Sequence, residues 1–125
     1  VSIVLKRAFE PARAQDGYRV LVDGLWPRGV TKLEARIDEW PKEIAPSKAL
    51  RQAFHQGEIG WGSFRRRYLA ELKAHRETMR PLARRAQRQR VTLVFSAKDE
   101  RHNNAVILKQ YLSMLNGRAG LAPSR

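Results

Sequence analysis

Apolar and polar positions along this chain follow two periods, near two residues and near 3.6, and their alternation predicts an α/β domain. Ile3, Val4 and Leu5 form a short apolar run of strand length, and residues 18–23 form a second. The stretch between them is polar and turn-rich, with Asp16-Gly17 as the turn signal. Thr31 and Glu34 have capping-box spacing, and Leu33, Ile37 and Trp40 then share one helical face, which predicts a helix ending at Trp40 before Pro41. Pro46-Ser47 opens a second helix whose face carries Leu50, Ala53 and Phe54, with Gly57 as its stop. From about Trp61 the residues Phe64, Tyr68 and Leu72 recur every four positions. The rhythm resumes at Met79, Leu82, Ala83 and Ala86, and Pro81 is predicted to divide this stretch into two helices. Residues 91–95 are a continuous apolar run rich in β-formers, read as a strand buried on both faces. A wholly polar loop, residues 96–104, precedes a last helix with Ala105, Leu108, Leu112 and Leu115 on one face. Asn103 or Asn104 is its cap and Asn116-Gly117 its stop.

A long helical crossover between the second and third strands favours parallel pairing of those two. The expectation is therefore a small three-layer-like α/β domain over residues 1–116, with a short, mainly parallel sheet covered by helices, and a flexible tail over residues 117–125. At 125 residues the chain has room for one core. If the second and third strands are neighbours, the loops after both leave the same carboxyl edge, where open α/β sheets bind ligands.

The absence of cysteine excludes a disulfide framework, a thiolate nucleophile and Cys-type zinc or iron–sulfur sites, and it fits a cytoplasmic setting. His55, His75 and His102 have no metal-ligand spacing, so no metal is expected. No window is apolar enough for a membrane span, and the charged stretch of residues 1–9 does not read as a signal peptide. The common nucleotide-binding and hydrolase fingerprints are missing, and no cofactor is expected. The net charge of +13 is the loudest signal, and it is concentrated: residues 63–90 carry ten basic residues against Glu71 and Glu77. Arg76, Arg80, Arg84 and Arg88 recur every four residues and would line up on a continuous helix as a phosphate track for nucleic acid or another polyanion. The alternative is a solvated helix face, and no aromatic residue interrupts the stretch from Tyr68 to Phe95 to stack on bases.

The strongest local feature is residues 21–29, a strand that stops in a rigid loop carrying Asp23, Trp26 and Arg28. Pro27 fixes its own backbone, and Gly24 and Gly29 permit conformations or approaches that a Cβ would block. Arg28, with the amides around Gly29, would clamp a carboxylate or phosphate, or else pair with Asp23 or Glu34. Asp23 is a candidate general base or a cap for neighbouring amides. Trp26 either stacks on a ligand or plugs the core. In the second polar loop Lys98, Asn103 and Asn104 are candidate anion ligands. Asp99 and His102 are the remaining catalytic candidates, with an ordinary capped turn as the alternative.

Several segments resemble the YeaO-like proteins, small bacterial proteins grouped as a domain of unknown function: Leu21-Val22-Asp23, Leu25-Trp26-Pro27-Arg28-Gly29, Ala45-Pro46-Ser47, Phe64 with residues 68–72, Thr92-Leu93, and Ser96-Ala97-Lys98-Asp99 with Asn103 and Ala105-Val106. The resemblance covers nearly the whole chain, from Leu5-Lys6-Arg7 to Leu112. It implies an α/β fold and a cytoplasmic setting, and it brings no established activity. Two positions depart from the family's pattern: Gly24 stands where the family carries arginine, and Asn104 where it carries histidine. The functional expectation is that the loops after the second and third strands bind, and act on if anything, an anionic small molecule, with nucleic-acid or polyanion binding through residues 65–90 as the rival.

Overall fold

The most apolar segment takes the centre of the sheet. In the computed structural model, which describes residues 2–121, strands β1 (Ser2–Arg7), β2 (Tyr18–Leu21) and β3 (Arg90–Phe95) pair in the order β1-β3-β2, both pairings parallel. A strand flanked on both sides has no solvent-facing edge. From Val91 onward β3 is buried, and its one polar residue, Thr92, donates its hydroxyl proton to the Asp16 carbonyl at 2.6 Å.

Period-two alternation sorts the strand residues between two apolar clusters. Val20, Val22, Val91, Leu93 and Phe95 join the main core with helices α2 (Lys48–His55), α3 (Trp61–Ala74), α4 (Arg76–Ala86) and α5 (Asn104–Leu121). Leu21 and Val94 enter a second cluster with Ala8, against which Trp26, Ile37 and Trp40 pack. Helices thus cover one face, and the segment after β2 covers the other. Among the described residues no helix is long and apolar enough to cross a membrane.

Three elements depart from the sequence pattern. Thr31 and Glu34 do form the capping box, but α1 (Lys32–Ala35) lasts a single turn, because Arg36 takes a left-handed conformation with φ 48°. The chain then runs along the outer edge of β2. Asp38 and Glu39 donate their amides to the Arg19 carbonyl, and the Leu21 amide donates to the Glu39 carbonyl at 3.0 Å. Covering an open strand edge and packing Ile37 and Trp40 outweigh further helix, and Leu33 is left 85% exposed.

The long helical stretch breaks at His75, not at Pro81, which lies inside α4. Pro81 removes one helical bond, to the Glu77 carbonyl. Both residues are exposed, so water takes that bond while Met79, Leu82, Ala83 and Ala86 keep the apolar face buried.

Finally, α5 continues through Asn116-Gly117 to Leu121. The Asn116 side-chain amide donates to the Ala83 carbonyl at 2.8 Å and ties this turn to α4, which outweighs the roughly 1 kcal/mol that glycine costs in a helix. Residues 122–125 of the expected tail lie outside the described residues.

One ionic hub anchors β1 to β2. The Asp16 carboxylate accepts from Arg19 at 2.7 Å, from Lys6 at 3.0 Å and from the Arg13 amide at 3.0 Å. Burial acts to raise the Asp16 carboxyl, but these donors outweigh it and hold the group below the ordinary aspartate value. Gly17 follows with φ 70°, and a Cβ there would overlap the Arg90 carbonyl, so the turn requires glycine.

Candidate functional site

Strands β2 and β3 separate at their carboxyl ends, and Asp23 stands in the gap. The Val22 amide donates to the Val94 carbonyl at 3.0 Å, and a regular parallel ladder would next run from the Ser96 amide to the Val22 carbonyl. That rung is replaced by side chains. The Ser96 amide donates to Asp23 Oδ2 at 2.9 Å, and Asn104 Nδ2 donates to the Val22 carbonyl at 2.9 Å and to Asp23 Oδ1 at 3.2 Å. Trp40 Nε1 donates to the Asp23 carbonyl at 2.7 Å and fixes the loop from the other face. Asp23 and Asn104, from the two predicted loops, therefore meet at one sheet edge.

Burial pushes the Asp23 carboxyl above the ordinary aspartate value, against the hydrogen bonds from Ser96 and Asn104 and the nearby charge of Arg51. The Ser96 hydroxyl oxygen is buried against the Asp23 carboxylate and acts to lower it, but it makes no hydrogen bond of good geometry. Arg51 comes from α2, and its guanidinium lies 3.1 Å from where a Cβ on Gly24 would stand. Glycine at position 24 thus leaves the space that the Arg51 head group approaches.

Helix α2 is held in place by α3. The Ser47 amide and hydroxyl donate to the Glu71 carboxylate at 2.8 and 2.6 Å, while Ser47 Oγ accepts from the Leu50 amide at 3.2 Å as the N-cap. Tyr68, fully buried one turn before Glu71, donates its hydroxyl proton to the Ile44 carbonyl at 2.6 Å. Burial and the charges of Asp23 and Glu71 push the phenol well up, so it stays protonated. On the other flank Arg7 donates to the carbonyls of Ala97 and Ser96 at 3.0 and 3.3 Å, so β1 holds the loop after β3.

The remaining predicted residues are spread more widely. Asn103 is buried as the cap of α5: its Oδ1 accepts from the Val106 amide at 3.1 Å and its Nδ2 donates to the Asp99 carbonyl at 2.8 Å. Asp99 accepts from the amides of Arg101 and His102 at 2.9 and 3.0 Å, and these bonds hold its carboxyl below the ordinary value. His102 Nδ1 lies 3.3 Å from Asp99 Oδ2, with its ring 4.9 Å from that of Trp61. Trp26 is half-buried against the second apolar cluster, donating from Nε1 to the Val30 carbonyl at 2.6 Å and meeting Trp40 edge-on at 5.5 Å.

Arg28 and Lys98 are exposed, and neither makes a hydrogen bond or ion pair among the described residues, so the pairing of Arg28 with Asp23 or Glu34 is not formed. Gly29, at φ 80°, lines a depression of about 550 Å³ with Phe9, Pro11 and Leu33, and neither Asp23 nor Asn104 borders it. The loop that begins at the sheet edge therefore ends on another surface. Of the arginine series, Arg76, Arg80 and Arg84 lie on α4 and Arg88 lies past its end, with Arg80 paired to Glu77 at 3.0 Å on the surface.

Arg51 and Tyr68 are site neighbours: residue spacing marked Tyr68 only as a core position and did not single out Arg51. A signal for Arg51 existed in its place one turn after the Ser47 cap, beside the apolar positions Leu50 and Phe54. Among the described residues no three His, Asp or Glu side chains gather to hold a metal ion. What the edge offers is a carboxylate fixed by the Ser96 amide and Asn104, the Ser96 hydroxyl beside it and a nearby guanidinium.

These elements define a small parallel α/β domain whose carboxyl edge is built from two loops and a helix start. The sequence profile of a family described as the inactive DUF488-N3 subclade matches residues 2–120. The chain belongs to this YeaO-like family. It is 46% identical over 115 residues to the uncharacterised protein YeaO of Escherichia coli (strain K12), covering 92% of this chain and all of that one. It is 36% identical over 112 residues to uncharacterised proteins of Mycobacterium bovis and Mycobacterium tuberculosis, covering 90% of this chain and 92% of each. No solved structure matches.

Proposed function

We propose that this chain is a cytoplasmic binding module that takes an anionic small molecule at the carboxyl edge of its sheet. The observation that carries the reading is the interrupted sheet ladder at Asp23, where the buried Ser96 hydroxyl lies against the carboxylate without a hydrogen bond of good geometry. Native proteins satisfy nearly all buried polar atoms, so a buried hydroxyl without a well-aligned partner at a strand edge suits a group that a ligand completes. Arg51 supplies a cation near Asp23, and Lys98 is an exposed cation two residues past Ser96 in the chain. Asp23 and Asn104 orient a ligand hydroxyl or amide.

Binding without turnover is favoured over catalysis for two reasons. Both oxygens of Asp23 are already engaged by donors, and the matching family is described as inactive. The rival reading, a polyanion track along Arg76, Arg80, Arg84 and Arg88, rests on charge alone.

A thermal-shift screen of phosphorylated metabolites, nucleotides and carboxylic acids at near-physiological salt tests both readings, with a short nucleic acid in one well. A ligand at about 100 times its dissociation constant adds roughly 2.7 kcal/mol, a shift of several degrees. The hit is then titrated against Ser96→Ala and Lys98→Ala. Each is expected to weaken binding about five- to tenfold, the worth of one hydrogen bond or exposed ion contact, with the unliganded protein as stable as wild type. Unchanged affinity in both variants refutes the site. A shift confined to nucleic acid and abolished by salt refutes the small-molecule reading altogether.

A further inference from the structure

A second surface lies away from the sheet edge, in a groove of about 790 Å³ where α3 and the start of α4 meet α5. Its floor is apolar. Leu69 and Ala70 on α3 face Tyr111, Met114 and Leu115 on α5, and the three α5 positions stand at i, i+3 and i+4, so they form one helical face. Met114, at 40% exposure, is one of the few large apolar side chains left open to solvent.

The rim is wholly basic: Arg66, Lys73, Arg76 and Arg80 border the groove and no acidic residue does. Arg66 reaches Ser63 at 3.2 Å, and Arg80 meets Glu77 only on the open surface, a pair of small energetic consequence. Lys73 and Arg76 make no hydrogen bond or ion pair among the described residues.

We propose that this groove docks an acidic amphipathic helix of a partner protein, with aliphatic anchors on the Met114 floor and Glu or Asp residues against the rim. Charge complementarity fixes the sign of the partner, and a trough bounded by helices suits helix-in-groove recognition read at i, i+3, i+4 and i+7. The floor argues against nucleic acid as the occupant. Bases stack on exposed rings, and Tyr111, the one ring among the groove's lining residues, is 7% exposed.

The test is fluorescence anisotropy of the full chain with a labelled peptide of roughly 20 residues, long enough to hold a helix, made of Glu, Ala and Leu with Leu at i, i+3, i+4 and i+7. The comparison probes are a scrambled peptide of the same composition and a single-stranded oligonucleotide of the same charge. The patterned peptide is expected to bind at least about tenfold more tightly than either. Met114→Glu should weaken it about tenfold, and Lys73→Glu with Arg76→Glu similarly. Ser96→Ala should leave it unchanged, which separates this surface from the sheet-edge site.

With the chain labelled at its methionine methyls, there are two signals. Met114 should shift on binding, while Met79, 1% exposed in the core, stays in place and reports an intact fold for every variant. Equal binding of the scrambled peptide, tighter binding of the oligonucleotide, or an unmoved Met114 signal overturns the proposal.

Discussion

Asn104→Ala probes the interrupted ladder directly. In the native chain one side-chain amide serves two acceptors, the carbonyl of Val22 and the carboxylate of Asp23. Val22 is 0% exposed, so truncation leaves its carbonyl without a donor and without water, at a cost of about 1–3 kcal/mol. The bond to Asp23 is longer, at 3.2 Å, and adds about 1 kcal/mol, while alanine returns roughly 0.5 kcal/mol in helix propensity at the first residue of α5. The expected net loss is about 1.5–3.5 kcal/mol, a fall in melting temperature of roughly 6–14 °C for a domain of this size. Urea denaturation followed by circular dichroism measures it. Asn104→His, the residue that the family pattern carries there, keeps one N–H donor and should recover more than half of the loss. A cost below about 0.5 kcal/mol for Asn104→Ala, or equal costs for alanine and histidine, would refute the idea that this side chain substitutes for a backbone rung.

Two further predictions follow from the acids. Burial raises the Asp23 carboxyl, so the folded state holds that proton more tightly than the unfolded chain; wild type should therefore gain stability relative to Asp23→Asn as pH falls from neutral towards the ordinary aspartate value of 3.8, and parallel pH profiles of the two proteins would sink the assignment. Asp16 has the opposite sign, because its stabilisation is present above the ordinary value and lost as pH falls through its lowered one. Asp16→Ala should cost about 3–5 kcal/mol at pH 7 by stranding buried Arg19, with the deficit shrinking in acid, and urea titrations at pH 7 and pH 3 check both parts.

Much of this arrangement was legible in the sequence because it rests on local periods. The apolar run at residues 91–95 marked the central strand, the helical crossover implied that β2 and β3 run parallel, and Asp23 and Asn104 were placed at one edge by that inference alone. The misreadings share a cause. Leu33, Ile37 and Trp40 have helical spacing, but the open edge of β2 takes the backbone of residues 38–39, and no window around Thr31 contains that competing partner. Pro81 reads as a break until its carbonyl acceptor is known to face water, and Gly117 reads as a stop until Asn116 is seen tied to Ala83. Arg51 joins the site through a contact across Gly24, and Tyr68 through its closeness to Asp23, relations that only the assembled core creates.

The middle strand of the sheet is the last one to be synthesised. Val91 pairs with Ile3 on one side and Tyr18 on the other, and β1 and β2 do not touch each other in the ladder, so neither amino-terminal strand has a template until the ribosome has released residue 95. At roughly 5–20 residues per second the first strand waits on the order of ten seconds, unpaired and apolar. Contacts of such long sequence separation make late, concerted folding the natural route for this topology. A nascent chain halted before β3 holds helices without a sheet. The pairing of each molecule is therefore decided only once β3 has been made, when one six-residue strand either closes the gap between its two neighbours or leaves both exposed to chaperones and proteases.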